Sequence, residues 1–214
     1  MKQTIESIDD EIKKKNLDKV FYTTVKEKID TKYNLSWKKV IKPPPFNSSL
    51  ETLSDLNYLS RITNSRSEEQ KNLVLLVDKD PKKLFIEVLD KYSLKFPQEE
   101  FKKYYDIIEP YIRETKQYFN RARPYQISKL LNKNINVLET KTHHTASYPS
   151  GHTCYAKLCE ILCVEKYPNL GFEFEQLVNL TAYCRELQGV HYRSDNEASI
   201  ILTSFWFEEL QKIV

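Results

Sequence analysis

Glycine occurs only three times in 214 residues, at positions 151, 171 and 189. A β-sandwich or barrel reverses direction through many tight loops with positive φ, and glycine is the residue that enters them at least cost. So few glycines predict an all-α fold: a single-domain bundle of long helices. The chain is 40% apolar and 29% charged. That is ordinary for a globular protein and excludes collagen-like, low-complexity and disulfide-scaffold classes. A chain of this length buries roughly 70% of its unfolded surface and needs no covalent staple.

Hydrophobic spacing places the helices. Ile5, Ile8 and Ile12 suggest a short amphipathic helix, and residues 1–42 form an N-terminal helical arm expected to pack on a main domain of residues 43–214. Pro43-Pro44-Pro45 is an extended segment that no helix crosses. Helices are expected over Ser49–Ile62 and Glu68–Val77, and again after Asp80-Pro81, an N-cap with proline at the first helical position. Pro97 opens another, with Phe101, Tyr104, Tyr105, Ile108 and Ile112 at a 3.6 period; Pro110 should kink or split it, and Pro124 should end it near Arg123. Residues 132–148 read as a polar loop. Helices resume over His152–Lys166, Glu173–Gln188 and Asn196–Ile213.

The longest uncharged apolar-rich run, Ala198–Phe207, is too short to span a membrane. Met1–Lys15 has no apolar leader-like core. A cytoplasmic location is therefore expected, or a periplasmic or secreted one if a leader has been removed. Cys154, Cys159, Cys163 and Cys184 show no zinc-ligand spacing and read as reduced, with Cys159 and Cys163 as small core residues. A net charge of +3 is too mild for a dedicated nucleic-acid binder. Residues 102–141, however, hold nine Lys/Arg against four Asp/Glu, which points to a local anion site.

Several residues carry chemistry. Arg185 follows Thr181 by four, Val178 by seven and Phe174 by eleven, so it projects from the apolar face of its helix. A buried guanidinium needs a carboxylate or a bound anion, and both remain open. Lys116 and Arg123 are two helical turns apart and would point the same way, either onto an anion or as a solvated face. Pro149-Ser150-Gly151-His152-Thr153 marks a loop becoming a helix, where unpaired N–H groups attract anions and Ser150 can cap them. His191 follows Gly189, a helix stop. Asp195, four residues on, either fixes the tautomer of His191 or only caps the next helix. His143, His144, His152, His191 and Asp195 match no metal-binding spacing. His143 and His144 read as surface residues of the polar loop.

In order along the chain these are K-x6-R-P (Lys116, Arg123, Pro124), P-S-G-H (Pro149–His152) and R-x5-H-x3-D (Arg185, His191, Asp195). This arrangement resembles the signature of the type 2 phosphatidic acid phosphatase superfamily, which also contains the vanadium haloperoxidases. The likeness covers roughly residues 40–210 and is nearest to the soluble class A bacterial non-specific acid phosphatases. The proline run followed by Tyr58-x-x-Arg61, Ala146-Ser147-Tyr148 and Gly189–Asp195 also resemble that class. Cys184 stands where the class carries serine, and the cysteines of its 132–148 loop are absent.

The resemblance implies an all-α acid phosphatase/haloperoxidase-type fold and a metal-independent phosphomonoester hydrolase, with diphosphates as further substrates. It implies a phosphohistidine on His191, oriented by Asp195. His152 would protonate the leaving group, with an optimum below neutral pH. Lys116, Arg123, Ser150, Gly151 and Arg185 would cradle the phosphoryl oxygens. No cofactor is expected, and vanadate should act as an inhibitor or phosphate analogue. The partner is a small phosphorylated substrate, with neither nucleic acid nor a transmembrane segment involved, and relatives suggest a homodimer. The alternatives are a vanadium-dependent haloperoxidase on the same scaffold and a non-catalytic phosphate-binding module.

Overall fold

The computed structural model describes residues 16–23 and 28–214. Among these, eight α-helices and three 3-10 turns make up the regular structure. The one β-bridge pairs Phe21 with Arg121, and there is no strand. The helices are α1 (Leu50–Asn64), α2 (Glu68–Lys79), α3 (Lys82–Lys91), α4 (Gln98–Phe119), α5 (Pro124–Leu130), α6 (Gly151–Lys166), α7 (Gly171–Leu187) and α8 (Arg193–Gln211). The all-α expectation holds.

Local chemistry sets the helix ends. Ser49 caps α1 by accepting from Thr52 N at 3.1 Å, and Ser67 with Gln70 forms a capping box on α2. Asp80 Oδ1 accepts from Lys82 N at 3.0 Å at the start of α3. Proline does not split α4, which is one helix through Pro110. Ile108, Tyr111 and Ile112 are buried on both sides of that proline, so core packing holds the axis across one missing hydrogen bond.

The end of α4 corrects the sequence reading. Asn120 adopts φ 48°, and its N–H donates to the Lys116 carbonyl at 2.8 Å, stopping the helix three residues before Arg123. Arg123 is extended and is the N-cap residue of α5, with Pro124 at its first position. Lys116 and Arg123 therefore do not share a helix, and α5 itself was not anticipated.

Helix α6 is buried nearly all round, through Cys154, Ala156, Leu158, Cys159, Leu162 and Cys163, as a central helix must be. It packs against α4, α7 and α8, while α2 packs on α7, and α3 on both α6 and α7. Phe85 of α3 stacks on Phe174 of α7 with centroids 6.0 Å apart. Both are fully buried, each stabilising the fold by about 1.5–3 kcal/mol. All four cysteines are free and buried.

Ahead of α1 the described residues carry 3-10 turns at Leu17–Lys19 and Trp37–Lys39. Leu35 and Trp37 are buried in the main core, with the Trp37 ring 4.8 Å from Tyr118 and 5.1 Å from Phe119. The helix expected over Ile5, Ile8 and Ile12 lies outside the described residues.

Candidate active site

One cavity, about 450 Å³ in volume, collects residues from distant parts of the chain. Its lining includes Lys116 from α4, Arg123 before α5, Gly151 and His152 at the start of α6, Arg185 near the end of α7, and His191. Six of the eight predicted site residues thus line one space.

His191 arrives there because α7 stops hard. Gly189 takes φ +82°, and a Cβ at that position would come within 2.8 Å of Ile135 Cγ2, so the turn requires glycine. Asp195 occupies the third position of α8. Its Oδ2 accepts from Tyr192 N at 3.0 Å and from His191 Nδ1 at 3.1 Å. It therefore caps its helix and also holds the imidazole. A carboxylate only accepts, so Nδ1 carries the proton and Nε2 holds the lone pair. That Nε2 is 3.0 Å from Arg123 Nη1. Burial, and then the charges of Arg123, Lys116 and Arg185, push the His191 pKa well below its usual value. The ring is neutral.

Three cations surround it. Lys116 Nζ donates to Ala146 O at 2.6 Å. Arg123 is fixed by Nε on Thr145 O at 2.9 Å and Nη1 on Val190 O at 2.8 Å. Arg185 is 1% exposed, and its Nε is a buried donor with no hydrogen-bond partner. Burial, reinforced by Arg123, lowers the Lys116 pKa well below its usual value. Burial and then Arg185 bring Arg123 down to about 10. These depressions show cations crowded together out of water, an arrangement that a bound anion relieves.

Asp78, at the end of α2, escaped the sequence reading. Its Oδ1 pairs with Arg185 Nη1 at 2.5 Å and also accepts from Gln188 Nε2 at 3.2 Å and from Thr142 Oγ1. Burial raises its pKa, but Thr142 and Arg185 outweigh that and bring it to about 2. Arg185 thus has a carboxylate partner and faces the cavity as well. The Asp78 backbone carbonyl accepts from His152 Nε2 at 2.9 Å. Burial, and then the Arg185 charge, lower His152 to about 3.

Ser150 takes the capping place, one of the two the sequence leaves open for it. It is fully buried, its hydroxyl meets Thr153 Oγ1 at 2.9 Å, and its N–H goes to Ser199 Oγ at 2.8 Å. It caps α6 and does not line the cavity, and neither does Asp195. Gly151 does line it, with the Lys116 stem 4.0 Å from where a Cβ would stand.

His143 is buried, not on the surface: Nε2 meets Glu139 Oε2 at 3.1 Å and Nδ1 meets Thr140 Oγ1 at 3.3 Å. The polar loop supplies those partners itself, which lets the ring leave water. His144 is exposed, as expected. Among the described residues, no three His, Cys, Asp or Glu side chains are grouped to hold a metal ion.

The cavity is also lined by Tyr105, Glu109, Ile112 and Arg113 of α4, Tyr155 of α6 and Lys79–Pro81. Tyr105 and Tyr155 meet edge to face, centroids 4.9 Å apart. The space is wide enough for a small organic group beside the cationic end.

No protein-family model matches the chain, and comparison with curated proteins finds no match. Among solved structures, the chain is similar to a transmembrane PAP2-type phosphatidylglycerolphosphate phosphatase from Bacillus subtilis. The TM-score is 0.54 at 14% identity, over 77% of this chain and 86% of that one. The likeness shows the fold, the PAP2-type helical fold. The two differ in one respect: among the described residues, no helix here is long and apolar enough to cross a membrane.

Proposed function

We propose that this PAP2-fold chain is a phosphoric monoester hydrolase, of the class A acid phosphatase kind, acting through a phosphohistidine without a metal. The observation that carries the reading is His191. It is a neutral imidazole with Nδ1 held by Asp195 and Nε2 3.0 Å from Arg123, facing a cavity it shares with Lys116 and Arg185.

Phosphoryl transfer needs positioning and charge stabilisation more than covalent assistance. Lys116, Arg123, the Arg185 Nε–H and the backbone N–H at the start of α6 bind the three non-bridging oxygens. Nε2 of His191 forms the N–P bond as the ester P–O bond breaks, and Asp195 stabilises the resulting imidazolium. The leaving oxygen takes a proton from His152. In the second half, water attacks phosphorus, His152 accepts its proton, and the N–P bond breaks to release phosphate. His152 is neutral in the free chain, so its proton arrives with a monoanionic substrate. Phosphomonoesters lose their second proton near pH ~6, which sets the optimum below neutral. Lys116, Arg123 and Arg185 supply the positive charge that metal ions provide in many other phosphatases.

The test is p-nitrophenyl phosphate hydrolysis across pH with EDTA present, followed by alkaline quench of phosphate-labelled protein. A base-stable, acid-labile label should form and disappear in His191→Ala. Undiminished turnover in that variant, or activity that EDTA abolishes, overturns the mechanism. Vanadate, which mimics the five-coordinate transition state, should compete with substrate.

A further inference from the structure

Arg121 lies two residues before the cradle's Arg123 and takes no part in the cavity, yet it is buried to 4% exposure. Its Nη1 donates to Asp195 Oδ1 at 2.6 Å and to Ser194 Oγ at 2.8 Å. Its guanidinium carbon lies 4.0 Å from the centroid of the Tyr192 ring. Nε and Nη2 have no hydrogen-bond partner; the stack over Tyr192 is what accommodates that side of the group. Asp195 is thereby held from two sides, with Oδ1 on Arg121 and Oδ2 on His191 Nδ1 and Tyr192 N.

We infer that Arg121 is a positioning residue of the reaction, acting on His191 through Asp195. The inference rests on the reading of His191 as nucleophile. Two effects follow from the geometry. Arg121 Nη1 on Oδ1, opposite Tyr192 N and His191 Nδ1 on Oδ2, fixes the carboxylate plane, and hence the direction of the His191 ring. The guanidinium charge also balances Asp195. An unbalanced carboxylate beside Nδ1 would draw a second proton onto Nε2 and remove the attacking lone pair. Asp78 pairs with Arg185 and Gln188 and has no hydrogen bond to Asp195. The other groups acting on His191 are Arg123, Lys116 and Arg185, with His152 when it is protonated, and all of them oppose its protonation.

The test uses the full chain with p-nitrophenyl phosphate. Arg121→Met should lower kcat about tenfold or more, with a smaller change in KM. It should also move the acid limb of kcat/KM to higher pH, a shift that loosened packing alone would not produce. Arg121→Lys keeps the charge and should leave the limb in place. Because Arg121→Met strands a buried carboxylate and can fail to fold, the double variant Arg121→Met/Asp195→Asn removes both charges together. If Arg121 works through Asp195, the double variant is no slower than Asp195→Asn alone. Additive losses, or an Arg121→Met variant whose acid limb stays at the wild-type position, overturn the inference. A wild-type chain inactive on every phosphoester instead overturns the functional reading and is told apart at the first assay.

Discussion

The backbone carbonyl of Asp78 accepts the Nε2 proton of His152 at 2.9 Å, which leaves Nδ1 as the basic nitrogen of that ring. With His152 lowered to about 3 and His191 held well below its usual value by burial and three cations, both imidazoles of the free chain are neutral at neutral pH. The acid limb of kcat/KM should therefore lie well below the usual histidine range, and the basic limb should follow the second ionisation of the substrate, near pH ~6. Substrates with a more acidic phosphoryl group should move the basic limb down by the difference in their pKa. A basic limb that ignores the substrate would assign the proton to the protein.

Stability should fall as the solution is acidified below about pH 6.5. A histidine with a depressed folded pKa is protonated first in the unfolded state, so its contribution is complete above the unfolded value. It is lost as pH falls, with a slope of about 1.4 kcal/mol per pH unit down to the folded value. For His152 that window runs down to about 3. Glu186 acts in the opposite sense. Burial raises its pKa to about 7, so it stays protonated in the fold while the unfolded chain ionises, and stability falls with rising pH between about 4.5 and 7. Glu186→Gln should steepen the acid-side loss, and His152→Asn should flatten it, in melting temperatures recorded from pH 7 to 4.

Asp78→Asn leaves the backbone acceptor of His152 intact but strips the charge partner of Arg185. Breaking a buried pair should cost about 3 kcal/mol in the unliganded chain. A bound oxyanion then replaces the missing carboxylate charge. Vanadate should accordingly raise the melting temperature of this variant by more than that of the wild type, as read by scanning fluorimetry.

Gly189→Ala places a Cβ 2.8 Å from Ile135 at a φ of +82°. Left-handed strain and overpacking together should destabilise the fold by about 2–4 kcal/mol. The same turn delivers His191, so turnover should fall along with denaturant stability. An alanine variant with wild-type kcat would show that the turn tolerates displacement.

Much of this was legible in the chain before its structure. The Asp80-Pro81 start, the Ser150 cap, the Gly189 stop and the 3.6 spacing placed seven of the eight described helices close to their observed ends, because those signals are local. Lys116, Arg123, Gly151, His152, Arg185 and His191 were found through motif order, and they do line one cavity. What was missed depends on tertiary pairing. Asp78 follows an apolar helix and has no local mark as a ligand of Arg185, 107 positions away. Arg121 was hidden by the expectation that α4 continued to Arg123; only the left-handed Asn120 frees both arginines to reach different partners. His143 was read as exposed because polar loops usually are, and its burial depends on Glu139 and Thr140 folding back onto it.

The four thiols lie on α6 and α7 inside the packed centre, and burial raises the pKa of each. An alkylating reagent reaches them only when α6 parts from its neighbours. Iodoacetamide labelling followed by mass spectrometry thus becomes a clock for the opening of the helices that carry His152 and Arg185, and bound oxyanion should slow it.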